Sequence, residues 1–139
     1  MLRPLEVLFE TDLPGYRLPV DLKRLYGRLG FPRRVVYSNF VSSLDGVVTL
    51  GGRPQAGSLI SGKYPADRFV MAMLRACADA VVVGAGTLRG SPGHLWTASH
   101  VYSDLAASFA TLRKIFTPNS PRLPAGEQDA TYAIKPVTA

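Results

Sequence analysis

The chain has 139 residues, of which 47% are hydrophobic and 19% are charged. This length and composition exclude a disordered segment and fit one folded domain. The 16 Lys and Arg residues outnumber the 10 Asp and Glu residues, which gives a net charge of +6 at pH 7. Nucleic-acid binders concentrate basic side chains on one face, whereas here the excess is spread evenly, so we expect no nucleic-acid partner.

Cysteine and histidine are too few for most redox or zinc sites, because the chain has one cysteine and two histidines. No apolar run approaches the ~20 residues of a membrane span. The first residues, Met-Leu-Arg-Pro-Leu-Glu, are too polar for a signal peptide. We therefore expect no bound metal, no membrane partner and a cytoplasmic location.

The N-terminal region predicts an irregular arm followed by one helix. Prolines interrupt the apolar residues of segment 2–20. From Asp21 to Leu29 apolar residues recur at helical spacing, with Asp21 as the N-cap and Gly30 beyond the C-terminus. Residues 1–34 are therefore expected to form an N-terminal arm with a short helix.

Two apolar segments that flank a helical pattern predict a strand–helix–strand unit. Residues 35–41 are rich in β-branched and aromatic side chains, which is typical of a central strand. Residues 65–78 carry one apolar stripe that includes Cys77, with Pro65 in the first turn, and predict a helix. Residues 80–83 are uniformly apolar and predict a buried parallel strand. A right-handed crossover then gives an α/β fold with a mostly parallel sheet and flanking helices.

The C-terminal part predicts a second helix and then an irregular tail. Apolar residues keep helical spacing over 105–115. Residues 117–139 contain several prolines and no clear period, so we expect loop or tail there, with one strand near 132–134. The expected organisation is thus an arm over 1–34, an α/β domain over 35–116 and a tail.

The motif Gly-Ala-Gly-Thr at 84–87 follows the second predicted strand. Glycines let backbone N–H groups approach an anion, and the threonine hydroxyl can add a hydrogen bond. The motif departs from the dinucleotide fingerprint, because the third glycine is displaced to Gly90 and Asp104 falls at a predicted helix start. It fits either a phosphate site at the carboxyl edge of the sheet or a tight strand exit.

A few polar residues outside this motif could also carry chemistry. Asp45, at the end of the first predicted strand, could hydrogen-bond a substrate, orient a water or cap its own turn. Arg75 could neutralise the C-terminus of its helix or bind a phosphate. His94 and His100 flank Trp96 in a predicted loop, and without further ligands a surface role is favoured over metal ligation.

Three ordered motifs identify a family resemblance. They are Asn-Phe-Val-Ser-Ser-Leu-Asp-Gly at 39–46, Pro-Ala-Asp-Arg at 65–68 and Leu-Arg-Ala-Cys-Ala-Asp-Ala-Val-Val-Val-Gly-Ala-Gly-Thr at 74–87. This succession resembles the pyrimidine reductase family of riboflavin biosynthesis, the C-terminal domain of the bifunctional deaminase-reductase. The resemblance spans about residues 35–116. It implies the N-terminal half of a dihydrofolate-reductase-like α/β fold.

The resemblance implies hydride transfer from NADPH to a phosphoribosylamino-pyrimidine, by an enzyme that is usually a homodimer. The cofactor-binding residues that it implies are Ser42, Gly84, Gly86, Thr87 and Ser91. Ser58 and Arg75 would bind the phosphorylated pyrimidine substrate. Asp45 lies in the family's Ser-Leu-Asp-Gly turn and would be the catalytic residue.

The chain departs from the family pattern at several positions. The family commonly has an acidic residue in place of Ser91, its Leu-Thr-Val-Arg segment has no clear match at 95–98, and Tyr64 replaces the residue that caps the helix. Family domains also continue with a second glycine-rich turn, which the residues after Phe116 do not provide. The alternative is therefore a truncated, non-catalytic dimerising or binding module of the same family. A third hypothesis, a nucleic-acid binder, rests on net charge alone.

Overall fold

The computed structural model describes residues 2–6, 8, 15–31, 35–48, 50–51 and 56–116. The chain divides into two compact units, Met1–Asn39 and Phe40–Ala139, and each is described by itself. The domain boundaries expected after residues 34 and 116 stay predictions.

The first unit combines one helix with a two-stranded antiparallel sheet. Strand β1 is Gly15–Tyr16, helix α1 is Val20–Tyr26 and strand β2 is Leu29–Gly30. Gly15 pairs with Gly30, and Tyr16 pairs with Leu29. The side chains of this unit that are buried are Leu18, Leu22, Leu25 and Leu29. One face of α1 and the strand that follows it therefore share an apolar core.

Helix α1 differs from its prediction at both ends. Pro19 occupies the N-cap position without a side-chain hydrogen bond, and Asp21 lies in the first helical turn, where a negative charge favours the helix dipole. The helix ends at Gly27, which has φ 87° and whose N–H donates to the carbonyl of Lys23 at 2.8 Å. Glycine takes this positive φ at little cost, so it ends the helix earlier than the apolar pattern predicts. Gly30 lies in β2 and does not terminate the helix.

The described residues of the second unit are mainly helical. Its elements are α2 (Ala56–Ile60), α3 (Pro65–Cys77), α4 (Ala85–Gly90), α5 (Ala98–Val101), a 3-10 turn (Ser103–Leu105) and α6 (Ala106–Phe116). Helix α3 packs against α5 and α6. The predicted helices over 65–78 and 105–115 are thus confirmed, with the second one starting at the 3-10 turn.

The core of the second unit is centred on Phe69. Its ring lies 5.8 Å from that of Tyr102 and 6.2 Å from that of Phe109, both measured between centroids. The other buried apolar residues of this core are Ala72, Met73, Ala76, Cys77, Val101 and Leu112. The guanidinium of Arg113 donates from Nη1 to the carbonyl of Ala78 at 3.3 Å, which ties the last turn of α6 to the end of α3.

The predicted parallel sheet is not formed by the described residues. Residues 35–41 and 80–83 contain no strand, although Val81 makes an isolated bridge. Val36 is fully exposed and Val82 is 79% exposed, so these segments are not the buried strands that the sequence predicts. A strand needs a hydrogen-bonded neighbour as well as apolar side chains, and neither segment has a ladder partner within the described ranges. Within the described residues, the fold is α/β only in the sense that the small antiparallel sheet accompanies the helices.

The predicted tail over 117–139, with its strand near 132–134, lies outside the described residues. Among the helices that are described, none is long and apolar enough to cross a membrane.

Candidate functional site

Arg75 lies in the last turn of α3, and its charge is stacked on an aromatic ring. Its guanidinium carbon is 5.1 Å from the centroid of the Trp96 ring, which is the geometry of a cation–π contact. Arg75 Nη1 is buried and has no hydrogen-bond partner in the described part of the chain. Burial lowers the pKa of Arg75, yet a guanidinium stays charged at neutral pH. The site therefore holds a half-buried cation with one N–H donor group that no described residue accepts.

Two histidines complete a basic cluster around this pair. The His94 ring meets the edge of Trp96 with centroids 4.6 Å apart, and it lies 5.0 Å from the His100 ring. The pKa of His94 is held below its ordinary value, first because burial disfavours its charged form and then because His100, Arg75 and Arg68 repel a further charge. We call Arg68, Arg75, His94, Trp96 and His100 the basic cluster.

Thr97 stabilises the junction between helix α5 and the loop that carries His94 and Trp96. Its side chain is almost fully buried, and its Oγ1 accepts a hydrogen bond from the backbone N–H of His100 at 3.2 Å. Thr97 is thus the N-cap of α5, the position at which threonine stabilises the start of a helix. Because Thr97 caps α5, His100 lies in the first turn of that helix, directly after the loop that carries His94 and Trp96. Sequence reasoning considered both histidines but assigned them only a surface role. In the sequence, the cluster is indicated only by the positions of His94 and His100 on either side of Trp96.

The turn at Asp45 is closed by Ser43. The Ser43 hydroxyl donates to the Asp45 carboxylate, and Ser43 Oγ accepts from the Val47 N–H at 3.1 Å. Gly46 has φ 84°, a conformation that glycine adopts without strain. The hydrogen bond from Ser43 is the main cause that lowers the pKa of the exposed Asp45. Asp45 is thus an ionised hydrogen-bond acceptor held by its own turn, and its catalytic role stays a prediction.

The Gly-Ala-Gly-Thr motif forms the start of α4 instead of a tight exit from a strand. Gly84 is the N-cap, and its carbonyl accepts from the Leu88 N–H at 3.0 Å. A Cβ built on Gly86 would meet no atom within 4 Å, and one on Gly84 would meet only Thr87 Oγ1 at 4.0 Å. Neither glycine is required by its described protein neighbours. The backbone here is open to approach from outside.

The remaining predicted site residues are distributed over separate elements. Ser42 and Thr87 are exposed, whereas Ser58 in α2 and Ser91 at the C-cap of α4 are half-buried. Arg75 is the predicted site residue that lies in the basic cluster. The binding role of each of these residues stays a prediction.

Two kinds of chemistry have weak support in the described residues. Burial raises the pKa of the Cys77 thiol to about 12, so this thiol is protonated at neutral pH and is a poor nucleophile. Within the described ranges, no group of three or more His, Cys, Asp and Glu side chains could hold a metal ion.

Comparison with known proteins places these features in a family. A family model described as the RibD C-terminal domain matches residues 34–124, which is more than half of the chain and includes all three motifs. No curated protein and no solved structure matches the chain. The match confirms the resemblance drawn from the motifs, and the chain belongs to the RibD C-terminal domain family, a reductase-like domain of the riboflavin pathway.

Proposed function

We propose that the chain is an NADPH-dependent reductase that transfers a hydride to a phosphoribosylamino-pyrimidine of the 5-amino-6-(5-phosphoribosylamino)uracil type. Family membership supports the reaction class. The observation that carries the substrate class is Arg75, whose buried Nη1 has no hydrogen-bond partner among the described residues. A fixed guanidinium with an unused donor is suited to a phosphate group.

The substrate end of the proposed site is built on α3 and on the loop before α5. Trp96 covers one face of the Arg75 guanidinium, and this contact orients the planar fork before any ligand arrives. Partial burial strengthens the attraction between this cation and a phosphate, since less water screens it. Ser58 supplies a hydroxyl for the same substrate. The chain's contribution at this end is therefore binding and orientation.

The cofactor end of the proposed site uses Ser42, Thr87, Ser91 and the open backbone at Gly84 and Gly86. The donor set fits NADPH, because hydroxyl groups and backbone N–H groups are the usual partners of its ribose and phosphate oxygens. The open space around Gly86 fits the close approach of such a group. When bound, NADPH supplies the hydride. The protein residues hold the two reactants together.

Asp45 enters this proposal as an ionised acceptor. Because the Ser43 hydrogen bond keeps its pKa low, Asp45 does not donate a proton near neutral pH. It accepts a hydrogen bond from the substrate or orients a water. A homodimer and a cytoplasmic location belong to the same proposal. The alternative, a truncated, non-catalytic dimerising or binding module of the same family, predicts no turnover, and detectable reductase turnover by the chain would exclude it.

The first experiment is a titration with NADPH, followed by energy transfer from Trp96, with NADH as the comparison. We expect saturable binding that favours NADPH, and consumption of NADPH when the phosphorylated pyrimidine is added. No binding would overturn the cofactor assignment. Binding without turnover would favour the non-catalytic module.

The variant Gly86→Ala tests the cofactor end directly. A methyl group there meets no described protein atom, and the φ of Gly86 is not positive, so its backbone accepts alanine without strain. We expect an unchanged or higher unfolding midpoint together with weaker NADPH binding. Gly57→Ala in α2 is the matched control, since its Cβ makes only an ordinary contact with Val41 at 3.6 Å, and it should leave NADPH binding unchanged. Equal NADPH affinity in both variants would contradict the assignment.

A further inference from the structure

The charge balance of the basic cluster is unusual for a site held together only by its own side chains. Among the described residues, the groups whose charges act on His94 are His100, Arg75 and Arg68, and all three are basic. Helices α5 and α6 contain no carboxylate. Asp67 on α3 and Asp104 on the 3-10 turn are the carboxylates of the elements packed here, and neither acts on His94. Gathering like charges without an acidic partner is costly unless something else compensates them.

The cluster also contains two buried donors with no acceptor. Arg75 Nη1 and Trp96 Nε1 are each buried without a hydrogen-bond partner in the described part of the chain. They belong to the two side chains that stack on each other at 5.1 Å. Buried donors are nearly always paired in folded proteins, so each unpaired one calls for an explanation. A ligand rich in oxygen acceptors and carrying negative charge would satisfy the donors and the charges together.

We propose that Arg75, Trp96, His94 and His100 form one anion site for a phosphomonoester, in which His94 adds positive charge on protonation to the permanent charge of Arg75. The inference rests on the proposed function, because Arg75 is the substrate cation there. It goes further by assigning a ligand role to His94, Trp96 and His100. It also makes phosphate binding dependent on pH.

The direction of this pH dependence follows from linkage. A dianion beside His94 favours the protonated imidazole, so protonation must favour the dianion by the same factor. The pKa of His94 in the ligand-free protein lies below its ordinary value of 6.5. Affinity for the anion therefore rises as the pH falls toward and below the pKa of His94. At higher pH, Arg75 maintains a basal affinity. An opposite charge at contact distance shifts a pKa by about one to three units, so the expected gain in affinity is about tenfold or more.

The test uses inorganic sulfate as the probe, because sulfate remains a dianion across the range studied. Trp96 is the only tryptophan, so its fluorescence reports the site without added labels. Titrations at constant ionic strength between pH 8 and pH 5.5 avoid most carboxylate titration. We expect the wild-type affinity for sulfate to increase about tenfold as the pH falls. Ribose 5-phosphate, titrated in parallel, should compete with sulfate for the same site.

Two variants test separate parts of the site, and a third serves as a control. His94→Gln should flatten the pH dependence and keep the affinity measured at pH 8. Arg75→Gln should weaken sulfate binding at every pH. Lys114→Gln is the charge control, because Lys114 is exposed in the last turn of α6, and it should behave as the wild type. Circular dichroism of each variant shows that the helices are retained.

Proton uptake supplies an independent measurement. Calorimetric titration of sulfate in two buffers with different ionisation enthalpies should show net proton uptake by the wild type within the pH range of the titrations, and smaller uptake by His94→Gln. A wild-type affinity that does not change with pH, or a full pH dependence in His94→Gln, would overturn the inference. Failure to bind NADPH would refute the proposed reductase and would leave this sulfate result intact, so the two failures are distinguishable.

Discussion

Arg75 illustrates how a single residue can be prepared for a ligand. A carboxylate beside an arginine neutralises its charge and accepts its hydrogen bonds. In the described part of the chain, Arg75 contacts the Trp96 ring, which orients the guanidinium without neutralising its charge. Because Nη1 is also unpaired in the described part of the chain, both charge and hydrogen-bonding capacity remain available to a substrate.

This arrangement predicts the effect of Arg75→Lys. Lysine keeps the charge but loses the planar fork that binds a phosphate through two hydrogen bonds. Hydrogen bonds to charged groups contribute roughly 1.5–3 kcal/mol, so kcat/KM for the phosphorylated pyrimidine should fall by roughly 10- to 100-fold. Steady-state kinetics measure this loss, which should appear mainly in KM. Arg24→Lys, on the exposed face of α1, is the matched control, and an unchanged kcat/KM in Arg75→Lys would contradict the role of Arg75.

At the scale of single elements, α3 organises the second unit. It contributes Phe69 to the core on one face and Arg75 to the basic cluster at its end. The N-terminus of α3 is poorly capped. Tyr64 occupies the N-cap position, makes no side-chain cap hydrogen bond and is 60% exposed. The first backbone N–H groups of α3 therefore lack the side-chain acceptor that a short polar residue would provide.

Tyr64→Asp should consequently stabilise the protein. An aspartate at the N-cap can accept a hydrogen bond from the first turn, and its charge also favours the helix dipole. The expected gain in the free energy of unfolding is about 1 kcal/mol, measured by urea denaturation near neutral pH. Leu59→Asp is the control, since it also replaces an exposed apolar residue with a charge but lies within α2. Equal changes in both variants would show that the gain comes from surface charge and not from the cap.

What the sequence could predict about these elements depends on how local their causes are. Helices α3 and α6 were predictable because apolar residues one turn apart define their buried faces. Helices α2, α4 and α5 are only four to six residues long, too short for such a period. The strands expected at 35–41 and 80–83 were wrong for the described chain, because pairing depends on a distant partner that local composition does not reveal.

The same reasoning applies to the candidate site. The motifs led to Arg75 and to Gly84 and Gly86 through the family resemblance. They did not lead to the basic cluster, because its contacts depend on how the loop before α5 folds over α3. The Thr97 cap that fixes this loop is a local signal, a threonine at a helix start, but α5 is too short to draw attention to it.

At the scale of the whole molecule, the second unit exposes large apolar side chains. Phe40, Leu44 and Val82 are each at least 79% exposed. Single exposed apolar residues are ordinary on protein surfaces. These three come from the segments in which the sequence predicts central strands or their ends, where burial was expected. Covering such residues in a second copy of the chain would gain roughly 25 cal/mol for each Å² of apolar surface removed from water.

The proposed homodimer can therefore be tested at these residues. We expect sedimentation velocity to show a concentration-dependent dimer, and Leu44→Lys to shift it toward the monomer, because a buried lysine ammonium without a partner is strongly unfavourable. Leu44 is fully exposed in the single chain, so the charge should leave the unfolding midpoint of the monomer unchanged. Leu8→Lys is the matched control, since Leu8 is 88% exposed in the first unit. A wild type that stays monomeric over about a hundredfold range of concentration would refute the dimer, since association follows mass action. If instead Leu8→Lys and Leu44→Lys weaken a dimer equally, general charge repulsion is the cause, and Leu44 does not lie in the interface.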